Sequence, residues 1–198
     1  MTGMRAGFVF GVCLAVLSGC AGGLIPQTPP DTYGLTGSPV ISGQSAPRRQ
    51  ILIAEPVALK ALDSEQIVIK PTPSSIQYLA NSQWSDRLPK MVQAKLVQAF
   101  ENSGRVGGVG RPGEGLAIDY QISTSIRSFE IRVNGGETAL VEISAKVIND
   151  RNGSVKATKV FSSQARVRGS GNAAYVTALD RAFEDVTEEL VQWALARL

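Results

Sequence analysis

Three segments between residues 116 and 168 alternate apolar and polar residues, and this pattern restricts the possible folds more than any other feature. The apolar members of the second segment are Ala139, Val141, Ile143, Ala145 and Val147. A period of two places such side chains on one face of a strand. Turn sequences at residues 134–136 and 150–153 separate the segments. The region therefore predicts an antiparallel three-stranded meander with one buried face.

The first of these strands changes its apolar face partway along its length. Tyr120, Ile122 and Ile126 share one parity, whereas Phe129 and Ile131 have the other. A shift of one residue is what a β-bulge produces, so we expect a bulge between residues 126 and 129.

Two amphipathic helices complete the predicted fold. Residues 85–102 carry apolar side chains at helical spacing, with Ser85 as the expected N-cap. The stronger helix runs from about Asn172 to near the C-terminus, and its apolar residues step by three and four. Short strands are expected at 51–59, 66–70 and 75–79. The order predicts an α+β fold, an antiparallel sheet with two helices packed on one face as a two-layer sandwich.

The N-terminal residues have the pattern of an export signal. Arg5 precedes an apolar run of 12 residues, 6–17, which is shorter than the roughly 20 residues that span a bilayer. The run ends in Leu17, Ser18, Gly19 and Cys20, which resembles a bacterial lipobox. We therefore expect residues 1–19 to be a signal peptide and Cys20 to carry the lipid that anchors the mature chain.

Residues 21–50 are rich in Gly, Pro, Ser and Thr and contain few charges. This composition predicts that residues 20–50, from the lipidated cysteine onward, form a flexible tether, with a short edge strand at 33–35. The folded domain is expected to span 51–198.

Composition excludes several classes of chemistry. The chain has no histidine, so catalytic triads and metal sites that use histidine are excluded. Of its two cysteines, Cys13 lies in the signal and Cys20 is the lipidation site, so no disulfide is expected. A net charge of +3 is too small to favour a nucleic-acid binder. We expect neither catalysis nor a cofactor or metal.

Two motifs have simple structural interpretations. Residues 108–113 match G-x-G-x-x-G, but they follow a helix and contain Pro112, so we interpret them as a flexible loop rather than a dinucleotide site. Residues 152–154 match a glycosylation sequon and are interpreted as a hairpin turn.

The last helix also carries five acidic residues, which we call the acidic ridge: Asp180, Glu184, Asp185, Glu188 and Glu189. Their spacing is typical of a solvated helix face, with a docking surface for a basic partner as the alternative. Trp84 and Tyr78 flank the first helix and are interpreted as core residues, with exposed docking aromatics as the alternative.

The order of these features resembles the auxiliary lipoproteins of ABC-type, MCE-associated transport systems. The positions that carry the resemblance are Cys20, Tyr33, Leu35, 51–59, Leu62, Asp63, 67–69, Tyr78, Trp84, Leu88, Phe129, Glu130, Ala182 and Trp193. They are mostly hydrophobic positions, and none is a catalytic signature.

The resemblance implies a non-enzymatic role in the periplasm. The expected partner is an MCE-domain protein connected to a permease and an ATPase, in a system that moves lipids or other hydrophobic molecules between the membranes. Ala21 after the cysteine, by resemblance to enteric lipoproteins, implies transfer to the outer membrane. Self-association into a homo-oligomer is also open. Two alternatives remain: a stand-alone lipid-binding lipoprotein with an internal cavity, and a structural or assembly lipoprotein of the envelope.

Overall fold

The computed structural model describes residues 29–37, 39, 41–42 and 44–198. The predicted signal peptide and lipobox, including Cys20, lie outside these residues. The elements are β1 (Asp31–Tyr33), β2 (Ala46–Ile53), β3 (Val57–Ala58), β4 (Gln66–Lys70), β5 (Gln77–Trp84), α1 (Leu88–Ser103), β6 (Val106–Gly110), β7 (Tyr120–Arg132), β8 (Thr138–Asn149), β9 (Val155–Arg166) and α2 (Asn172–Leu195).

Strand β7 is the centre of the sheet. One of its edges pairs along its full length with β8, and β8 pairs with β9, so the predicted antiparallel meander is confirmed. Its other edge pairs in turn with β2, β3 and β4, all parallel to it. Strand β6 lies outside β2, while β5 and then β1 lie outside β4.

The prediction of an antiparallel sheet is therefore only partly correct, because the sheet is mixed. Strands β2, β3 and β4 follow one another along the same edge of β7. The chain breaks this pairing at Pro56 and again at 59–65. It then returns through β5 and α1 before β6 pairs parallel with β2. Parallel pairing requires such a crossover, and a crossover is a tertiary arrangement that alternation within single strands does not reveal.

The apolar faces of both helices belong to one core with the sheet. Helix α2 contacts β7, β8 and β9, whereas α1 contacts β2, β6 and α2. Three aromatic side chains run through this core, with ring centroids 5.8 Å apart for Trp84 and Phe129 and 5.7 Å apart for Phe129 and Phe183. The predicted α+β fold with two helices is confirmed.

The predicted bulge lies at Arg127. Ile126 pairs with Ile143, and Ser128 pairs with Glu142, so Arg127 is the additional residue on β7. The bulge moves Phe129 and Ile131 onto the core face that Ile126 occupies before it.

Helix α1 begins later than expected. Its N-cap is Arg87 rather than Ser85, and Pro89 lies in the first turn, where a missing N–H leaves no hydrogen bond unmade. Ser85 instead directs its hydroxyl toward the sulfur of Met91, at 3.9 Å. The helix ends at Gly104, whose φ of 60° is favourable for glycine.

The interpretation of residues 108–113 as a flexible loop is wrong for their first part, since 106–110 form β6. A Cβ at Gly107 would lie 2.7 Å from the carbonyl oxygen of Pro47. Glycine therefore allows β6 to approach β2 closely. The interpretation of 152–154 as a turn agrees with the structure, in which the Gly153 N–H donates to the Asn149 carbonyl at 2.9 Å.

The folded part of the chain also begins before the expected boundary at residue 51. Strand β2 starts at Ala46, and β1 pairs with β5 within the region expected to be a tether. The sequence does not reveal this early start, because residues 31–50 have low hydrophobicity and few of their described side chains enter the core.

Candidate functional site

The segment that leads from the expected lipid anchor into the domain runs along α2. We call residues 35–42 the strap, of which 35–37, 39 and 41–42 are described. Leu35 and Ile41 are buried, at 6% and 9% exposure. The described residues of the strap contact α2 from Asp180, in the first half of the helix, to Gln192 near its end, where the Gln192 amide donates to Ser42 at 3.2 Å.

Asp180 holds the beginning of the strap. Its carboxylate accepts hydrogen bonds from the backbone N–H groups of Thr36, at 2.9 Å, and Gly37, at 3.2 Å. The Thr36 hydroxyl also donates to it. Because charged acceptors form stronger hydrogen bonds than neutral ones, one carboxylate fixes the direction in which the chain leaves β1.

The rest of the acidic ridge does not form a continuous solvated face. Glu184 contacts the strap, since a Cβ at Gly37 would lie 3.2 Å from the Glu184 Cβ. Glu188 accepts a hydrogen bond from Gln192 at 2.9 Å. On the other flank, Asp185 accepts one from Ser163 at 2.8 Å.

Glu189 lies 3.8 Å from Lys159 on that same flank. The ridge thus contacts the strap on one side and β9 on the other, which argues against a wholly free docking surface.

The sequence also suggests edge strands near Tyr33 and Ile51 as surfaces that could pair with a partner's backbone, and these two candidates differ in accessibility. Tyr33 lies in β1, which pairs only with β5 among the described strands. Ile51 is fully buried in β2, which pairs with both β6 and β7, so the expected open edge near Ile51 is wrong.

The two candidate aromatic residues also differ in their exposure to solvent. Trp84 is 1% exposed and packs in the core, as interpreted from the sequence. Tyr78 is 42% exposed and lies opposite Val68 in the β4–β5 pair, so its interpretation as a core residue is wrong.

A buried charged group lies on the sheet face away from Phe129. Glu130 is 2% exposed, and its carboxylate is 3.3 Å from the Lys70 amino group and accepts from Arg132 Nε at 2.9 Å. A buried carboxylate is stable only when paired and hydrogen-bonded in this way. The sequence signal was a charge within an apolar run, which indicated the position but not its partners.

A second charged group joins the start of β2 to the loop before β7. The Asp119 carboxylate accepts the Gln50 backbone N–H at 3.1 Å and lies near Arg49 and Arg151, at 3.7 and 3.2 Å. The hydrogen bond from Gln50, and then the two guanidinium groups, hold the pKa of Asp119 below its ordinary value, against the opposing effect of burial. This carboxylate was not identified from the sequence.

Across the part of the chain that the structure describes, no cluster of carboxylates or cysteines has the arrangement of a metal site. Within the same residues, neither helix combines the length and the apolar character needed to cross a membrane.

The fold and the strap define a class of small α+β domains in which an N-terminal segment packs along the last helix. The model of the ABC-type transport auxiliary lipoprotein component family matches residues 33–191, and the chain belongs to that family. Membership supports a location in the cell envelope as a membrane-anchored lipoprotein.

Individual relatives agree with this assignment. The chain is 30% identical over 145 residues to an uncharacterized protein of Bradyrhizobium diazoefficiens; the match covers 73% of this chain and 39% of that protein. The chain thus spans about two fifths of that relative's length. The crystal structure of XCC0632 from Xanthomonas campestris is similar with a TM-score of 0.77 and 28% identity, covering 84% of this chain and 95% of that one.

A more distant similarity extends to PelC from Paraburkholderia phytofirmans, crystallised as a dodecamer. Its TM-score is 0.50 at 10% identity, with 82% of this chain and 96% of that one covered. At this identity the comparison concerns the fold alone.

Proposed function

We propose that this chain is the periplasmic auxiliary component of an ABC/MCE-type transport system that moves lipids or other hydrophobic molecules across the envelope. It acts by binding a protein partner rather than by turning over a substrate. The observation that carries the proposal is the family match over residues 33–191, which includes the strap and both helices. The proposed partner is an MCE-domain protein, and the proposed location is the periplasmic face of the outer membrane.

The strap supports a mechanical role for the domain. If the domain were joined to the anchor by a flexible tether, the anchor would place little restriction on the orientation of the domain. Here residues 31–33 of the attachment segment pair with β5, and Asp180 holds Thr36 and Gly37. We propose that lipidation at Cys20 therefore limits the orientations of the domain as well as its distance from the membrane, which raises its effective concentration against a membrane-attached partner.

Homo-oligomerisation is part of the proposal. Among the described strands, β9 pairs only with β8 over its 12 residues, so its outer edge is unpaired. An open edge is a ready template for pairing with another chain. The dodecameric state of PelC gives this possibility a precedent on a similar fold.

The lipid-carrier alternative has less support. An extracted lipid needs an apolar cavity for its acyl chains. The clefts identified between described residues open at the surface, and the three most voluminous of them are lined mainly by polar or charged residues.

Crosslinking in intact envelopes, followed by identification of the attached proteins, tests the proposed partner. We expect to recover a crosslinked MCE-domain protein. It should no longer be recovered when the chain is absent. Recovery of this chain with bound lipid and without a protein partner would favour the carrier. Recovery of assembly or cell-wall proteins alone would favour the structural alternative.

A further inference from the structure

A strongly basic cleft lies at the end of the molecule remote from the first described residues. It has a volume of about 740 Å³ and is lined by the start of β2, the start of β9 and the end of α2. Four cationic side chains line it: Arg48, Arg49, Lys156 and Arg197. No acidic side chain belongs to the lining.

The four cations of this cleft outnumber the net positive charge of the whole chain. The whole sequence has 20 cationic and 17 acidic side chains, a net charge of +3. Without the four cations of the cleft, 16 cationic and 17 acidic side chains remain, a net charge of −1.

The cleft is built by the backbone. Between Ala46 and Gln50 the register of β2 against β6 shifts, since four residue steps on β2 face two on β6, from Val106 to Gly108. The irregularity brings Arg48 and Arg49 into one short stretch of chain, and the missing side chain of Gly107 leaves room for it.

Contacts hold the cations in place without neutralising most of them. Lys156 donates to the Tyr120 hydroxyl at 3.2 Å and the Arg197 carbonyl at 3.1 Å. The Arg197 guanidinium lies over the Trp193 ring, 4.7 Å from its centroid. Arg49 lies 3.7 Å from Asp119, which has Arg151 as a second cationic partner.

We propose that this cleft binds the phosphate of an anionic phospholipid headgroup in the membrane that anchors the chain, so that the domain lies with α2 along the bilayer. The inference rests on the proposed lipid anchor at Cys20. Arginine pairs match phosphate oxygens by bidentate hydrogen bonds. The apolar part of the lining, at Pro47, Leu195 and Leu198, suits the glycerol region beside the phosphate.

The dimensions of the domain allow it to contact the membrane both at the end that carries the anchor and at the basic cleft. Asn172 at the start of α2 donates to Ser82 at 2.7 Å, and Ser82 and Pro29 line the same surface cleft. The 24 residues of α2 separate this end from the basic cleft by about 36 Å. The nine residues from Cys20 to Pro29 can extend at most about 30 Å.

The magnitude of the attraction favours a membrane over an acidic protein segment. Each Lys or Arg near an anionic surface strengthens attachment by about fivefold, so four give about 600-fold. That is sufficient for a domain already held at the surface by its lipid. A protein interface would be expected to present exposed aromatic side chains, whereas the aromatic residues that contact these cations, Tyr120 and Trp193, are only 6% and 9% exposed.

The test uses the mature lipidated chain in vesicles. With Cys20 acylated, a Gln44→Cys substitution provides a single thiol in the cleft for a fluorophore. The chain is reconstituted into phosphatidylcholine alone or mixed with phosphatidylglycerol, with a quencher on a fraction of the headgroups. We expect strong quenching only with phosphatidylglycerol. Arg48→Gln with Arg197→Gln should lower the association constant of the cleft for phosphatidylglycerol, obtained by varying its mole fraction, by about 25-fold. Lys60→Gln with Lys146→Gln, which makes the same charge change elsewhere, should not.

Other results would overturn the proposal. Equal quenching in both lipid mixtures, or none in either, rejects headgroup binding. If inorganic phosphate or a glutamate-rich peptide protects the label, and the label does not approach phosphatidylglycerol, the cleft binds a free anion or an acidic protein instead. Loss of the chain from pure phosphatidylcholine rejects the anchor, and the cleft proposal with it. An anchored but unquenched chain rejects the cleft proposal alone, and neither result depends on the transport partner.

Discussion

Asp180 in α2 accepts a hydrogen bond from the backbone N–H of Thr36, a residue 144 positions earlier in the chain. This contact joins the segment that follows the expected anchor to the last element of the fold. It fixes Thr36 and Gly37 of the polar, glycine- and proline-rich segment against the helix.

Replacing Asp180 by Ala should release the strap. We expect a loss of about 1–2 kcal/mol in unfolding free energy, because two backbone donors and a hydroxyl lose a charged acceptor. Amide hydrogen exchange at Thr36 and Gly37 should rise sharply. Asp185→Ala, which removes an acid that contacts only Ser163 in the described structure, is the control. Unchanged exchange in the Asp180 variant would contradict the role of this carboxylate.

Replacing Phe183 by Ala should cost about 3–5 kcal/mol, measured in denaturant melts. Phe183 is 1% exposed and its ring lies 5.7 Å from that of Phe129, so truncation leaves a cavity beneath the sheet. Glu189→Ala on the exposed side of the same helix should cost much less. A loss below about 1 kcal/mol at Phe183 would be inconsistent with its place in the core.

Two neighbouring glycines in β6 should differ in their tolerance of a methyl group. Gly107→Ala places a Cβ 2.7 Å from the Pro47 carbonyl oxygen, so we expect a loss of about 1–3 kcal/mol. Gly108→Ala meets only the Gln50 side chain, at 3.6 Å, and should be nearly neutral. Thermal unfolding of the pair measures the difference, and equal stabilities would show that β6 does not approach β2 as described.

Asp119 should make stability depend on acidity. Its pKa is lowered in the folded state, so its contribution is fully present above the unfolded value of about 3.9 and is lost as the pH falls through the folded value. Asp119→Asn should therefore be less stable than wild type at neutral pH, with a gap that narrows below about pH 4. Urea melts across this range measure the gap, with Glu101→Gln as control. A constant gap would exclude ionisation as its cause.

Cys20→Ala should abolish membrane attachment. Without the sulfur no diacylglycerol is added, so the uncleaved precursor should accumulate or soluble protein be released. Membrane fractionation and the mass of the product measure this. A variant that matures and fractionates as wild type does would refute the proposed lipobox.

Much of the fold was predictable from periodicity. The three long strands, the Arg127 bulge and the second helix follow from the alternation and spacing of apolar residues, because those patterns record which face each element buries. The order of the short strands was not predictable. Strands β2, β3 and β4 contain 15 residues in total, and their direction relative to β7 depends on where α1 returns the chain.

The residues of the candidate sites likewise divide into those that the sequence predicted and those that it did not. Trp84 was correctly interpreted as a core residue, since an aromatic side chain before an amphipathic helix is usually buried beneath it. Asp119, the partners of Glu130 and the basic cleft were missed. Each depends on groups far apart in the chain, such as Arg48 and Arg197, and no local spacing predicts that they meet.

The sequence by itself predicted an export signal and a lipidation site, and it determined the exclusion of histidine chemistry and the faces of the long strands and helices. These depend on residue identity and on local period, which the chain carries without folding. Only the tertiary structure decided the mixed direction of the sheet, the path of the strap along α2 and the meeting of four cations at the end of α2. Those features arise from contacts between residues distant in sequence, where the geometry of the whole fold sets which side chains are neighbours.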